Sequence, residues 1–226
     1  MKPSPAPDLS SARQQRASKP NPKSLPKFAT VVALDPGETT GWALWNIYPE
    51  ALAIDGETIS DNIQMWTHGQ VECIERFEDD DFEDLGIAFV NESEAIGVAE
   101  LVGLLRSWEG AAVVIEGFIL RQQRKDEALL SPVRITAALS QWLWQQRRLY
   151  FKQQPSMAKT TATDARLKQW GFYERSGGMQ HARDADRHAI TFLRRCKGAS
   201  PSACKLRHKA WPHIYDEKGD IRWLQG

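Results

Sequence analysis

Phe28-Ala-Thr-Val-Val-Ala-Leu-Asp35-Pro-Gly-Glu-Thr-Thr-Gly41-Trp-Ala-Leu-Trp45 decides the fold of this chain. Its first half is a continuous apolar run, as in a strand covered on both faces. The run ends on Asp35, and Pro36-Gly37 supplies turn chemistry at once. Gly41 to Trp45 resumes strand-forming residues, so the stretch reads as a β-hairpin. A third strand is expected at Gln64–Val71, where Trp66, His68 and Gln70 alternate with Met65, Thr67 and Gly69. An apolar stripe of Ala95, Val98, Leu101, Val102 and Leu105 then predicts a helix, capped by Asn91 or Ser93. Ala111–Ile115 is apolar throughout and predicts a central strand. Ser131-Pro132 opens a helix to about Arg147, with Ser131 as N-cap and Pro132 at the first helical position. A fifth strand follows at Leu149–Gln153, then a helix near Ala162–Trp170 that stops at Gly171. Ser176-Gly-Gly178 reads as a flexible link into a last helix over about 180–196. Strands first and then alternating strands and helices predict an α/β fold, a five-stranded mixed sheet flanked by helices.

The chain has 226 residues, of which 42% are hydrophobic, enough for one sizeable domain with appendages. Residues 1–27 hold six of the twelve prolines and six Lys/Arg against one Asp, and are expected to form a flexible basic tail. The domain itself is expected over 28–197, and 198–226 is expected to be a flexible basic C-terminal extension. Residues 72–94 carry ten Asp/Glu against Arg76, and residues 187–226 carry nine Lys/Arg against three acids. Net charge is zero, so only this uneven distribution is compatible with a polyanion partner on one side. No 18-residue apolar run and no secretory h-region occur, and three cysteines suit a reduced setting, so a cytoplasmic protein without membrane association is expected. Cys196, Cys204, His208 and His213 do not follow a common zinc spacing.

Chemistry concentrates at strand ends. Asp35 closes one apolar run, and Glu116 closes another, Ala112-Val-Val-Ile115, just before Gly117. A buried charge without a partner is costly, and a bound cation is the usual compensation. His181-Ala-Arg-Asp184-Ala-Asp-Arg-His188 adds donors, because His181 and Asp184 share one helical face. Three carboxylates and an imidazole suit a divalent-metal phosphoryl-transfer site. Asp186 lies about 200° from Asp184 at ~100° per residue. It is therefore expected to pair with Arg183 or Arg187 or to meet solvent. His188 shares the face of His181 and Asp184 and is expected to pack as a core histidine, with a supporting place behind the ligands as the alternative.

These residues also carry a resemblance. Asp35-Pro-Gly-Glu-Thr-Thr-Gly41-Trp resembles the first-strand motif of RuvC-like Holliday-junction resolvases, within the RNase H-like superfamily. Val113-Val114-Ile115-Glu116 is similar to the central acidic strand of that family. His181-x-x-Asp184-Ala is similar to its C-terminal acidic helix, where His replaces Asp in some members. The resemblance covers roughly residues 29 to 195 and implies an RNase H-like fold with Asp35, Glu116, His181 and Asp184 as catalytic metal ligands. It implies two Mg²⁺ per site, with Mn²⁺ able to substitute, and products bearing a 5′-phosphate and a 3′-hydroxyl. Lys159 resembles a lysine that approaches the scissile phosphate. Phe118, Arg121, Arg124 and Lys125 resemble a junction-probing segment, an aromatic wedge beside a basic loop; a core Phe and a solvated loop are the alternative.

The expected activity is thus metal-dependent cleavage of branched DNA, most of all four-way junctions, by a protein resembling bacteriophage versions of the family. Flaps, forks or RNA–DNA hybrids are alternative substrates, and a non-catalytic branched-DNA-binding protein is the rival class. Paired cutting requires two sites, so a C₂ homodimer is expected. Its interface is expected on the helix from Ser131, where Trp142 lies off the main apolar stripe and would be a costly exposed aromatic.

Overall fold

The computed structural model describes residues 28–73, 93–118, 130–173 and 179–224. β1 (Ala29–Asp35) turns at Pro36–Glu38 into the antiparallel β2 (Thr39–Ile47), which pairs antiparallel with β3 (Ile63–Glu72). β4 (Ala112–Glu116) lies parallel to β1 on its other side, and β5 (Tyr150–Gln153) lies parallel to β4. The order β3-β2-β1-β4-β5 is the mixed five-stranded sheet that the sequence pattern predicts.

The apolar runs of β1 and β4 have no polar face because both faces are covered. Val32, Leu34, Val113 and Ile115 pack with Leu101 and Leu105 of α2 (Ser93–Ser107) and with Ile135, Leu139 and Leu143 of α3 (Ser131–Gln145). Val31, Ala33, Ala112 and Val114 pack on the opposite face, with Ala185, Ala189, Phe192 and Leu193 of α6 (Gln180–Cys196). Fully burying one such aliphatic side chain contributes about 1.5–3 kcal/mol.

α6 is buried nearly all round, which overturns the expected place of Asp186. A helical wheel with one buried face turns Asp186 away from the sheet, but here it is fully buried on β2 and β3. It accepts hydrogen bonds from Trp45 Nε1 at 2.9 Å, Trp66 Nε1 at 2.7 Å and His68 Nδ1 at 2.6 Å. Three donors compensate the desolvation of one carboxylate.

Other expectations shift for local reasons. Leu130 is the N-cap of α3, and Ser131 sits inside the helix with its hydroxyl donating to Glu94. The helix predicted near Ala162–Trp170 is α5 (Asp164–Gln169), and an unpredicted helix, α4 (Pro155–Thr161), with Pro155 at its start, precedes it. The break falls where the Thr163 hydroxyl accepts from the Arg166 amide and caps α5. Gly171, at φ 75°, ends α5 as expected, with Phe172 N–H donating to Leu167 C=O. Asn91, one of the two expected caps of α2, lies outside the described residues.

Trp142 is not the exposed aromatic of α3. It packs with the core between the guanidinium groups of Arg106 and Arg148, each 5.9 Å from its ring. Trp144, two residues on, is 79% exposed. The C-terminal segment also differs from a loose extension. α1 (Glu50–Ala53), α7 (Pro201–Ala210) and the turns to Leu224 bury Trp211, Ile214, Tyr215 and Ile221 against the α6 face. Trp211 Nε1 donates to Thr30 C=O at 2.8 Å, and the Tyr215 hydroxyl donates to Pro49 C=O at 2.9 Å. The buried Arg207 guanidinium donates to the carbonyls of Leu52, Cys196, Gly198 and Gly219. The basic residues that gave this segment its extension-like composition stand partly outside, while Arg207 and the aromatics hold it down.

Candidate active site

The register that pairs Leu34 with Ile115, and Glu116 with Gln153, aligns the C-terminal ends of β1, β4 and β5 along one edge of the sheet. Asp35 and Glu116 therefore stand on neighbouring strands at that edge. α6 begins there because Gly41, opposite Asp35 in the hairpin, lets its first turn come close. A Cβ at Gly41 would stand 2.0 Å from the His181 carbonyl oxygen, a space no other residue could share. The His181 amide donates to Gln70 Oε1 of β3 at 3.1 Å, satisfying one of the first-turn N–H groups that a helix leaves unpaired. From this turn His181 Nδ1 donates to Asp35 Oδ2 at 3.2 Å.

Asp184, one turn further, is buried and accepts from Arg187 Nη1. Arg187 also reaches Asp164 and the Ala162 carbonyl, which ties α6 to the α4–α5 junction. Lys159 of α4 sets Nζ 3.9 Å from Asp184 Oδ2. Lys159, Thr163, Asp164, Gln180, Asp184 and Arg187 line an open groove of about 480 Å³.

Burial pushes the Asp35 carboxyl above its ordinary range. The hydrogen bond from His181 opposes this, while the charges of Glu116 and Asp184 add to it. His181 is raised above its ordinary value chiefly by the same hydrogen bond, against its own burial. The edge thus gathers negative charge at a point poorly reached by water. Among the described residues no three His, Cys, Asp or Glu side chains stand together as a finished ion cage. The donor set nevertheless fits a hard divalent cation in type, since His181 bonds Asp35, the charges of Glu116 and Asp184 act on it, and a positive charge there would relieve its burial.

All four proposed ligands lie at this one edge, and Lys159 stands at its rim. Phe118, two residues past Glu116, is 37% exposed; Arg121, Arg124 and Lys125 lie outside the described residues. Two contacts differ from the leading expectation. Arg187 was one expected partner of Asp186, yet it holds Asp184. His188, read as a packed core histidine, is buried but directs Nε2 at Glu116 Oε2, 2.5 Å away. Its shared face with His181 and Asp184 was the available signal; Gln153, on its other side, gave none.

The strand order and senses define an α/β protein with a five-stranded mixed sheet, with Asp35 and Glu116 at the ends of β1 and β4. No family model matches the sequence, and no curated protein matches it. Among solved structures the chain is similar to Thermus thermophilus RuvC in complex with Holliday junction substrate, at 16% identity and a TM-score of 0.47, over 73% of this chain and 92% of that one. It is also similar to a Thermus thermophilus RuvC structure at 14% identity and a TM-score of 0.40, over 72% of this chain and 92% of that one. Similarity at this level carries no functional weight, which rests on the residues of this chain.

Proposed function

We propose that the chain is a divalent-metal-dependent endonuclease acting on branched DNA, with four-way junctions as its substrate. The supporting observation is the convergence of Asp35, Glu116, His181 and Asp184 from two adjacent strand ends and one helix start. These four side chains would hold the ions. Bound divalent cations supply Lewis acidity to a phosphodiester and a water activated at neutral pH. Asp184 would exchange its Arg187 contact for the ion, leaving Arg187 and Lys159 to face a phosphate from the groove. Phe118 offers an aromatic face to an unpaired base beside the reacting strand. A synthetic four-way junction should be cut in Mg²⁺ and spared in EDTA, ahead of flap, fork, RNA–DNA hybrid and plain duplex. Cleavage that ignores EDTA, or no cleavage of any branched DNA, would end this reading.

The imidazole ligand gives a pH signature. A metal competes with the proton on His181, and that proton is held above the ordinary histidine value of about 6.5. Mn²⁺ affinity and activity should therefore decline as pH falls through the raised value, starting above pH ~6.5. The apo protein has the opposite sign: the Asp35–His181 contact stabilises below about pH 6.5 and fades as pH rises through the raised value. His181→Asp should lower the Mn²⁺/Mg²⁺ activity ratio and flatten the decline. An unchanged ratio would place His181 outside the ligand set.

Paired cutting would need a homodimer, and α3 offers the surface. Leu130, Val133 and Trp144 are 47%, 43% and 79% exposed and fall on one stripe opposite Ile135, Leu139 and Leu143. Trp144→Glu should weaken self-association at least ~30-fold, as loss of a central aromatic anchor does. Sedimentation should then show monomers that nick junctions on one strand. A variant that remains dimeric would move the interface off this stripe.

A further inference from the structure

His188 is fully buried at the centre of the α6 face, where an apolar side chain would be the cheaper occupant. Both ring nitrogens are engaged. Nε2 meets Glu116 Oε2 at 2.5 Å, and Nδ1 meets the Gln153 side-chain amide at 2.9 Å. Gln153 neighbours Glu116 in the β4–β5 register, so two adjacent strand ends grip one imidazole. The amide orientation follows from its surroundings. With nitrogen toward the ring, Gln153 donates to His188 Nδ1 and to the His188 carbonyl at 3.2 Å, while its oxygen accepts from the Phe192 amide at 3.3 Å. The reverse orientation would set its oxygen against a carbonyl and its nitrogen against an N–H. A donor at Nδ1 leaves the ring proton on Nε2, which therefore donates to Glu116. Among the described residues this is the hydrogen bond that fixes the Glu116 carboxylate, and it occupies one oxygen.

We infer that His188, oriented by Gln153, is a positioning residue that holds Glu116 for a divalent cation. The inference rests on the proposed metal site and adds a Gln153–His188–Glu116 chain behind it. Outer partners of this kind set the direction and basicity of a ligand, and their loss typically weakens metal binding ~10–100-fold.

The test is Mn²⁺ binding by electron paramagnetic resonance on the intact protein without DNA. His188→Leu should weaken binding at least ~10-fold. His188→Gln, whose amide can reach the same carboxylate, should recover most of that loss. In a Glu116→Gln background, His188→Leu should have no further effect. Equal Mn²⁺ affinity in wild type and a folded His188→Leu variant would overturn the role of His188 while leaving the metal site standing. No Mn²⁺ binding by wild type would overturn the metal site and this role together. Independently of any variant, ¹⁵N-histidine spectra of wild type should show His188 protonated at Nε2; protonation at Nδ1 would overturn the orientation.

Discussion

Asp35→Asn and Glu116→Gln are each expected to lower junction cleavage by at least ~10³-fold while DNA binding stays equal or tightens. Divalent cations held by these residues would supply several kcal/mol to the transition state as Lewis acids, and each 1.36 kcal/mol is tenfold in rate. Neither amide replaces the charge. Binding tightens because each substitution removes a carboxylate that repels phosphate. Asp35→Asn carries a second signature. Burial, Glu116 and Asp184 hold the Asp35 carboxyl above its ordinary range, so its ionised form disfavours the folded state once pH exceeds the unfolded value near 3.8. The Asn variant should therefore melt at the same or a higher temperature at pH 7 while losing activity. Such opposition between stability and activity is what a strained site produces. Retention of more than a few per cent of wild-type cleavage by either variant would put the chemistry elsewhere.

Asp186→Ala is expected to cost about 3–5 kcal/mol of stability, the range for removing one partner from a buried charged cluster. The substitution strands the Trp45 indole N–H, which is fully buried, and leaves the Trp66 and His68 donors without this acceptor. Each stranded buried donor costs about 1–3 kcal/mol. Against a typical total of about 5–15 kcal/mol, the variant should lose about a fifth or more of its margin. Denaturant titration should show a lower midpoint with an unchanged slope. A loss below about 1 kcal/mol would mean that water or a neighbour replaces the carboxylate. Cleavage by whatever variant remains folded should persist, since Asp186 faces β2 and β3 rather than Asp35.

The two behaviours explain which parts of this chain were legible beforehand. Asp35 and Glu116 stood out because a charged residue interrupts an apolar run at the point where a strand must end. Gly41 was visible only as a motif member; its close approach to the His181 backbone belongs to tertiary structure. Asp186 was misplaced because one helical wheel assumes one buried face, whereas α6 lies between the sheet, α4 and the C-terminal turns. Trp142 and Trp144 exchanged roles because one residue pair two apart can be turned either way by the pitch of α3 on the sheet. The flanking arginines, from α2 and from the end of the β5 approach, decided it. Arg207 was unreadable: its partners are main-chain carbonyls from distant segments, and carbonyls leave no mark in a sequence.

The packed C-terminal segment also sets the order in which the chain can become itself. Trp211 bonds to the carbonyl of Thr30 across 181 positions, and Tyr215 reaches Pro49 across 166. The α2–α3 side of the sheet can close from residues already synthesised up to Gln153. The α6 side cannot, because its aromatic cover is made last. During synthesis Val31, Ala33 and Trp45 therefore stay uncovered on one face of the first hairpin until α6 has been made, and the cover of Trp211, Tyr215 and Ile221 is completed only after that. Contacts of such separation slow folding and prolong the exposure of apolar strand faces. The final quarter of the gene is thus the lock on its first strand, and a chain halted before Trp211 would present a half-covered sheet to the cell.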